Sequence, residues 1–103
     1  MNNEEINITI AEVCGWRVHP KDQFIVIPPN SPNSVQPLST IPDYINDLNA
    51  MREAEKTLSD NLLWIMKYKL DEIVPSDIPT EFATARQRAE AFLQTTGKWN
   101  VVN

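Results

Sequence analysis

Cysteine, histidine and glycine are scarce in this chain of 103 residues. There is one cysteine, Cys14, one histidine, His19, and two glycines, against eight prolines. One cysteine excludes an internal disulfide and a zinc site built from cysteines, and so little glycine argues against phosphate-binding loops. A site of carboxylates alone stays open, although no segment spaces its acids like an EF-hand. We therefore expect no metal centre and no bound cofactor.

Long apolar runs and an excess of positive charge are missing as well. The longest apolar run, 62–66, has five residues, whereas a membrane-spanning helix needs roughly 20. The N-terminus, Met-Asn-Asn-Glu-Glu, has no basic stretch of the kind that begins a signal peptide. A net charge of -5 argues against coating nucleic acid or anionic membrane. We expect a cytosolic protein with neither nucleic acid nor membrane as a partner.

The acidic charge is concentrated in the first half of the chain. Residues 1–50 carry six acidic and two basic side chains, and residues 51–103 carry eight acidic and seven basic ones. An anionic ligand is therefore expected in the second half. The length predicts a single domain, 1–103, without a wide cleft between domains.

Hydrophobic periodicity predicts helices separated by short connections. The predicted helices are 4–14, 43–58, 60–74 and 81–96. Gly15 and Gly97 are expected to end the first and the last of them. One unbroken helix over 43–74 would be about 48 Å long at 1.5 Å per residue, too long for a compact domain of this size. Either the helix breaks near Asp60, where Ser59-Asp60 offers an N-cap, or it projects into an oligomer; we expect the break. Cys14 lies on the apolar stripe of the first helix and is expected to be a core thiol.

The segments between these helices predict a small sheet and a loop. β-branched and aromatic residues predict strands at 16–19 and 23–27, the second covered on both faces. Residues 28–42, with five prolines, predict a long surface loop that is either functional or disordered. The tail after Gly97 either caps the core with Trp99 or adds a short strand. The predicted fold class is α+β, an α-β-α sandwich with two or three short strands packed by three or four helices.

Three stretches, 10–16, 42–51 and 83–93, the last closed by Gly97-Lys98-Trp99, suggest a family. Together they resemble the phage ABA sandwich domain family, small and largely uncharacterised proteins of tailed phages and prophages. The resemblance spans nearly the whole chain. It implies a small α/β sandwich and a phage origin, and it implies no catalytic residues.

The densest polar cluster lies at the start of the predicted second helix. It consists of Asp43, Tyr44, Asn46 and Asp47. One interpretation is a hydrogen-bonding platform for an amide or a base edge, with the tyrosine ring for stacking. The other is helix capping, in which Asp and Asn side chains accept hydrogen bonds from free backbone N–H groups.

Two arginine-containing motifs complete the candidate ligand site. Trp16 and Arg17 either stack a base or are a core tryptophan beside a surface arginine. Arg86 and Arg88 point about 200° apart on one helix, so at most one grips a phosphate. The alternative pairs Arg86 with Glu90 and lays the stem of Arg88 over apolar surface.

The sequence predicts a protein that binds and does not catalyse. No nucleophile–histidine spacing or P-loop is present, and the acid pairs Glu53/Glu55 and Asp71/Glu72 are expected on solvated helix faces. The leading hypothesis is a phage counter-defence protein of the bacterial host cytoplasm that sequesters a nucleotide-derived immune signal, with its pocket at a homo-oligomer interface. The alternative is an inhibitor or adaptor that docks its acidic surface on a host or phage protein.

Overall fold

The architecture consists of four α-helices and a three-stranded antiparallel sheet, in a computed structural model that describes residues 1–31 and 33–99. The helices are α1 (Asn3–Val13), α2 (Leu48–Glu55), α3 (Asp60–Ile73) and α4 (Ala85–Thr96). The strands β1 (Arg17–His19), β2 (Asp22–Ile27) and β3 (Gln36–Pro37) pair in the order β1-β2-β3. The predicted small α+β fold is confirmed.

Helix α4 forms the centre of the core. It packs against α1, α2 and α3, and its Phe92 and Leu93 side chains are fully buried. The other helices contribute buried apolar side chains to the same cluster, among them Ile6, Ile10, Met51, Met66 and Leu70. The sheet lies beside this helical core, with α1 packed against β1.

Side-chain caps determine where the helices begin. Ser59 accepts the backbone N–H of Leu62 and starts α3, which confirms the predicted break near Asp60. Thr84 and Gln87 form a capping box, so α4 begins at Ala85 and not at residue 81 as predicted. None of the helices within residues 1–31 and 33–99 has both the length and the apolar character needed to cross a membrane.

Both glycines end helices as predicted. Gly15 and Gly97 have φ angles of 102° and 75°, the left-handed region that side chains with a Cβ avoid. At Gly15 the space is limited as well, because an added Cβ would lie 3.0 Å from Cβ of Pro29. The start of the proline-rich segment therefore crosses the end of α1 at close range.

The prediction that the second strand is covered on both faces is wrong. Burial increases along β2, from an exposed Asp22 to a buried Val26. Phe24, on the same face as Val26, is 66% exposed. The tip of the β1–β2 hairpin projects beyond the core, so apolar content alone did not indicate coverage.

Part of the proline-rich segment is ordered by pairing with the sheet. Within 28–42, β3 pairs with β2 through Ile25 and Pro37, and a 3-10 turn follows at Leu38–Thr40. This segment supplies the third strand. Trp99 packs half-buried against the core; the alternative of a short strand falls mainly on residues 100–102, outside the described residues.

Candidate functional site

Residues 43–47 form a hydrogen-bonded turn and not the beginning of a helix. The backbone N–H groups of Asn46 and Asp47 donate to the carbonyl oxygen of Asp43 at 3.1 and 2.9 Å. The Asp47 carboxylate accepts the N–H groups of Asn49 and Ala50, so it is the N-cap of α2. Helix α2 therefore starts at Leu48, five residues later than predicted, because short Asp and Asn side chains bind backbone groups that a helix would otherwise use.

Asn7 of α1 fastens this turn to the body of the protein. Its Nδ2 donates to Oδ1 of Asp43 at 3.0 Å, and its Oδ1 accepts the N–H of Ile45 at 3.2 Å. Asn46 donates to the other oxygen of Asp43 at 2.9 Å. The hydrogen bonds from Asn46 and Asn7 hold the pKa of Asp43 below its usual range. The carboxylate is thus ionised and fixed in orientation, and each of its oxygens keeps a further acceptor position.

A groove of about 540 Å³ lies between α1 and residues 38–46, and we call it the α1 groove. Apolar side chains in it are Ile8, Leu38, Ile41 and Ile45. The polar side chains in it are Asn3, Glu4, Asn7, Ser39, Asp43 and Asn46. Two carboxylates and no basic side chain line the groove, and the nearest cation is Arg86, which donates to Asn3 of the lining, so the local charge is net negative. Its volume is in the range of ligand-binding clefts.

Tyr44 and Trp16, for which base stacking was one of two interpretations, lie outside the α1 groove. They line a different cleft of about 390 Å³, next to Cys14. The Tyr44 side chain is buried, and this burial, with Cys14 as a second cause, raises the pKa of its hydroxyl. Trp16 is half-buried against the core, whereas Arg17 is exposed on β1. These positions fit the interpretation of Trp16 as a core tryptophan beside a surface arginine, Arg17.

Cys14 is expected to be a slow nucleophile. It is half-buried, and burial raises the pKa of its thiol more than hydrogen bonds with Tyr44 and Thr57 lower it. Since the thiolate is the reactive form, we expect iodoacetamide to modify the urea-unfolded chain at least about tenfold faster than the folded chain at neutral pH. Equal rates would contradict the assignment of Cys14 as a core thiol.

The same shift predicts how stability changes in alkali. As the pH rises through the ordinary pKa of cysteine, about 8.5, the unfolded chain releases the Cys14 proton more readily than the folded chain does, because burial raises the pKa of the folded thiol. The folded state then binds more protons, so the free energy of unfolding falls as the pH rises. Cys14→Ala is expected to flatten this decline in urea titrations, and an equally steep decline in that variant would contradict it.

The two candidate arginines both have partners within the chain. Arg88 binds Glu55 through two hydrogen bonds, Nε to Oε2 at 3.1 Å and Nη2 to Oε1 at 2.6 Å. Arg86 donates to Oδ1 of Asn3. The predicted pair of Arg86 with Glu90 is wrong for the described residues, since Arg86 turns towards α1. The predicted solvation of Glu55 is wrong as well, because this side chain is buried.

The eight candidate residues therefore lie in separate places. Asp43 and Asn46 line the α1 groove, and Arg86 reaches it through Asn3. Tyr44 and Trp16 share the cleft beside Cys14, while Arg88 lines a third cleft with Glu55. Within the described residues, Arg86 and Arg88 therefore lie apart from the cleft of Trp16 and Tyr44.

An exposed aromatic surface on α3 was not among the predicted sites. Trp64 and Tyr68 are 62% and 64% exposed, with ring centroids 6.4 Å apart. Nζ of Lys67 lies 5.8 Å from the centroid of the Trp64 ring, within reach of a cation–π interaction. We call these residues with Asp71, which lines the same cleft, the α3 aromatic face. The five consecutive apolar residues at 62–66 indicated such an exposed surface in the sequence, because a helix that packs through one face cannot bury all of them.

The rest of the described chain offers no metal site. Residues 1–31 and 33–99 contain no group of three or more His, Cys, Asp or Glu side chains placed to hold a metal ion.

No family model, curated protein or solved structure matches this chain. The phage family therefore remains a prediction from the three sequence stretches.

Proposed function

We propose that this chain is a phage accessory protein of the host cytoplasm that binds a basic segment of a host or phage protein in the α1 groove. The observation that carries the proposal is the combination of apolar side chains with two carboxylates, Glu4 and Asp43, in one groove. An apolar groove with a charged rim is a common way to bind a peptide segment, since burial supplies affinity and charge supplies specificity.

Each part of the groove fits one part of such a segment. Ile8, Leu38 and Ile41 offer apolar surface to side chains of the segment. The Asp43 carboxylate, held by two amide N–H donors, is oriented for a lysine or arginine. Side-chain amides such as that of Asn46 offer donors and acceptors to a peptide backbone. The acidic first half of the chain attracts a basic partner from a distance.

Sequestration of a nucleotide-derived signal has weaker support. A phosphate in the α1 groove would lie near two carboxylates, Glu4 and Asp43, and these outnumber the one cation, Arg86, that reaches the groove through Asn3. Arg88 is engaged by Glu55, and the aromatic side chains of Trp16 and Tyr44 face a different cleft. This function would require a second copy to complete the pocket.

Designed peptides test the proposal by fluorescence anisotropy. We expect an alternating leucine–lysine peptide to bind at least about tenfold more tightly than its leucine–glutamate counterpart. Binding is expected to weaken as salt is raised, because the charges in the groove are exposed and screened. Glu4→Gln and Asp43→Asn are expected to weaken binding about three- to tenfold each.

Glu12→Gln is the matched control, since it removes the same charge from an exposed position of α1 outside the groove. Equal binding of the two peptides, or an equal loss in the Glu12 variant, would contradict the proposal. Calorimetry with ADP-ribose and a cyclic dinucleotide completes the test. Nucleotide binding that is lost in Arg86→Gln, without any preference for the basic peptide, would favour sequestration instead.

A further inference from the structure

The α3 aromatic face is a second surface that the proposed function does not use. On α3 the buried side chains Met66 and Leu70 are directed to the core that contains α4. At 3.6 residues per turn, Trp64 and Tyr68 lie on the opposite side of the helix. Ile65, beside them, is also exposed. A contiguous exposed apolar surface of this kind marks an interaction site more often than a scattered one does.

We propose that this face binds a second copy of the chain, with the two α3 helices packed antiparallel about a two-fold axis. The proposal uses other residues than the α1 groove, and it stands or falls independently of that groove. A dimer about a two-fold axis needs a surface complementary to itself, so each charge must find its opposite on the same face.

Lys67 and Asp71 supply this complementarity. They are four residues apart, and both line one cleft with Trp64 and Tyr68, so they lie on the same flank of the aromatic pair. Neither takes part in an ion pair within the described residues, where the ion pairs are Lys56–Glu53 and Arg88–Glu55. Lys67 instead lies over the ring of Trp64.

The geometry of an antiparallel pair brings these charges together. A two-fold axis perpendicular to both helices and level with position 69 places Lys67 of each copy opposite Asp71 of the partner subunit. Residues on one flank stay on that flank under such an axis, so both ion pairs form on the same side of the aromatic contact. The rings of Tyr68 then meet near the axis. The lysine and the aspartate of each copy thus both find an opposite charge on the partner. This self-complementarity is the reason to assign a second copy as the binding partner of the face.

The salt dependence of dimerisation is expected to differ from that of peptide binding in the α1 groove. Each copy carries a net charge of -5, so two copies repel one another at low ionic strength. The central contact is aromatic and insensitive to screening. Salt screens this repulsion and the two Lys67–Asp71 ion pairs alike, so the dimer is expected to depend on salt much less than the binding of a basic peptide does.

Sedimentation velocity over a micromolar concentration series tests the inference on the full chain. Wild type is expected to show a reversible monomer–dimer equilibrium. Trp64→Ala and Tyr68→Ala are each expected to raise the dimer dissociation constant at least about tenfold. Phe24→Ala, which removes an equally exposed aromatic ring from β2, is the control and is expected to leave the dimer unchanged. Circular dichroism verifies that each variant is folded.

A charge exchange tests the antiparallel geometry itself. Lys67→Asp places two acids opposite one another in the dimer, and Asp71→Lys places two bases there, so each single variant is expected to weaken the dimer. The double variant, with both substitutions, is expected to recover most of the affinity because opposite charges face each other again.

A wild-type protein that stays monomeric throughout, or a dimer unaffected by Trp64→Ala, would overturn the inference. A second outcome would overturn the inference equally. If wild type is monomeric and binds a foreign protein stoichiometrically, and Trp64→Ala abolishes that binding, the aromatic face belongs to the foreign partner. Peptide binding by the Trp64→Ala monomer reports on the α1 groove alone, so the two proposals fail separately.

Discussion

Replacing Arg88 with alanine is expected to lower the free energy of unfolding by about 2–4 kcal/mol. The guanidinium binds Glu55 through two hydrogen bonds, and the side chains are 20% and 11% exposed. Without Arg88 the buried Glu55 carboxylate loses the ion pair that offsets its lost hydration. Such a loss is a large part of the 5–15 kcal/mol typical of small domains. Urea denaturation followed by circular dichroism measures it.

Two comparisons show whether the loss comes from the unpaired charge. The double variant Glu55→Leu with Arg88→Met removes both charges and keeps apolar volume, so it is expected to recover most of the stability. Lys56→Ala breaks the ion pair with Glu53, which lies in solvent, and is expected to cost less than about 1 kcal/mol. Equal losses in Arg88→Ala and Lys56→Ala would contradict the account of the buried pair.

Replacing Asn7 with alanine is expected to damage the α1 groove more than any other single change. The substitution removes both hydrogen bonds that fasten the 43–46 turn to α1. It also leaves the partly buried N–H of Ile45 without its acceptor, at a cost of about 1–3 kcal/mol. Asp43 loses one of the two donors that orient its carboxylate. We therefore expect the leucine–lysine peptide to bind at least about tenfold more weakly.

Asn49→Ala is the matched control for this prediction. Asn49 is exposed in the first turn of α2, and its side chain makes no hydrogen bond among those of the described residues. Thermal unfolding and anisotropy are measured for both variants. Unchanged peptide binding by a folded Asn7→Ala protein would show that the fixed turn is not required for the groove.

Local signals predicted most of the helical fold. Glycine at 15 and 97 and serine at 59 act within one turn of the residues they affect, so their roles were visible in the sequence. The start of α2 was less visible, because Asp43 and Asn46 fit both a helix start and a turn. The choice between them depends on Asn7, which lies 36 residues from Asp43 along the chain.

Long-range partners explain the errors at the candidate site. Glu55 lies four residues after Met51 and three before Leu58, on the apolar stripe of its helix, and that spacing was an overlooked sign of burial. Its partner Arg88 is 33 residues away, a pairing that no local pattern reveals. The α1 groove likewise joins α1 to residues 38–46, so only Asp43 and Asn46 of its lining were predicted.

The two proposed surfaces belong to different elements. The α1 groove uses the first turns of α1 and residues 38–46, while the aromatic face uses α3. A dimer formed through α3 carries two α1 grooves, and a partner with two basic segments would gain avidity from binding both.

Backbone amide chemical shifts during a titration with the leucine–lysine peptide test the central claim most directly. The largest shift changes are expected at residues 3–8 and 38–46, where they saturate with peptide concentration and become smaller in Asp43→Asn. Residues 64–71 are predicted to change little. Saturating changes confined to other parts of the chain, or none at all, would contradict the assignment of the α1 groove as the binding site.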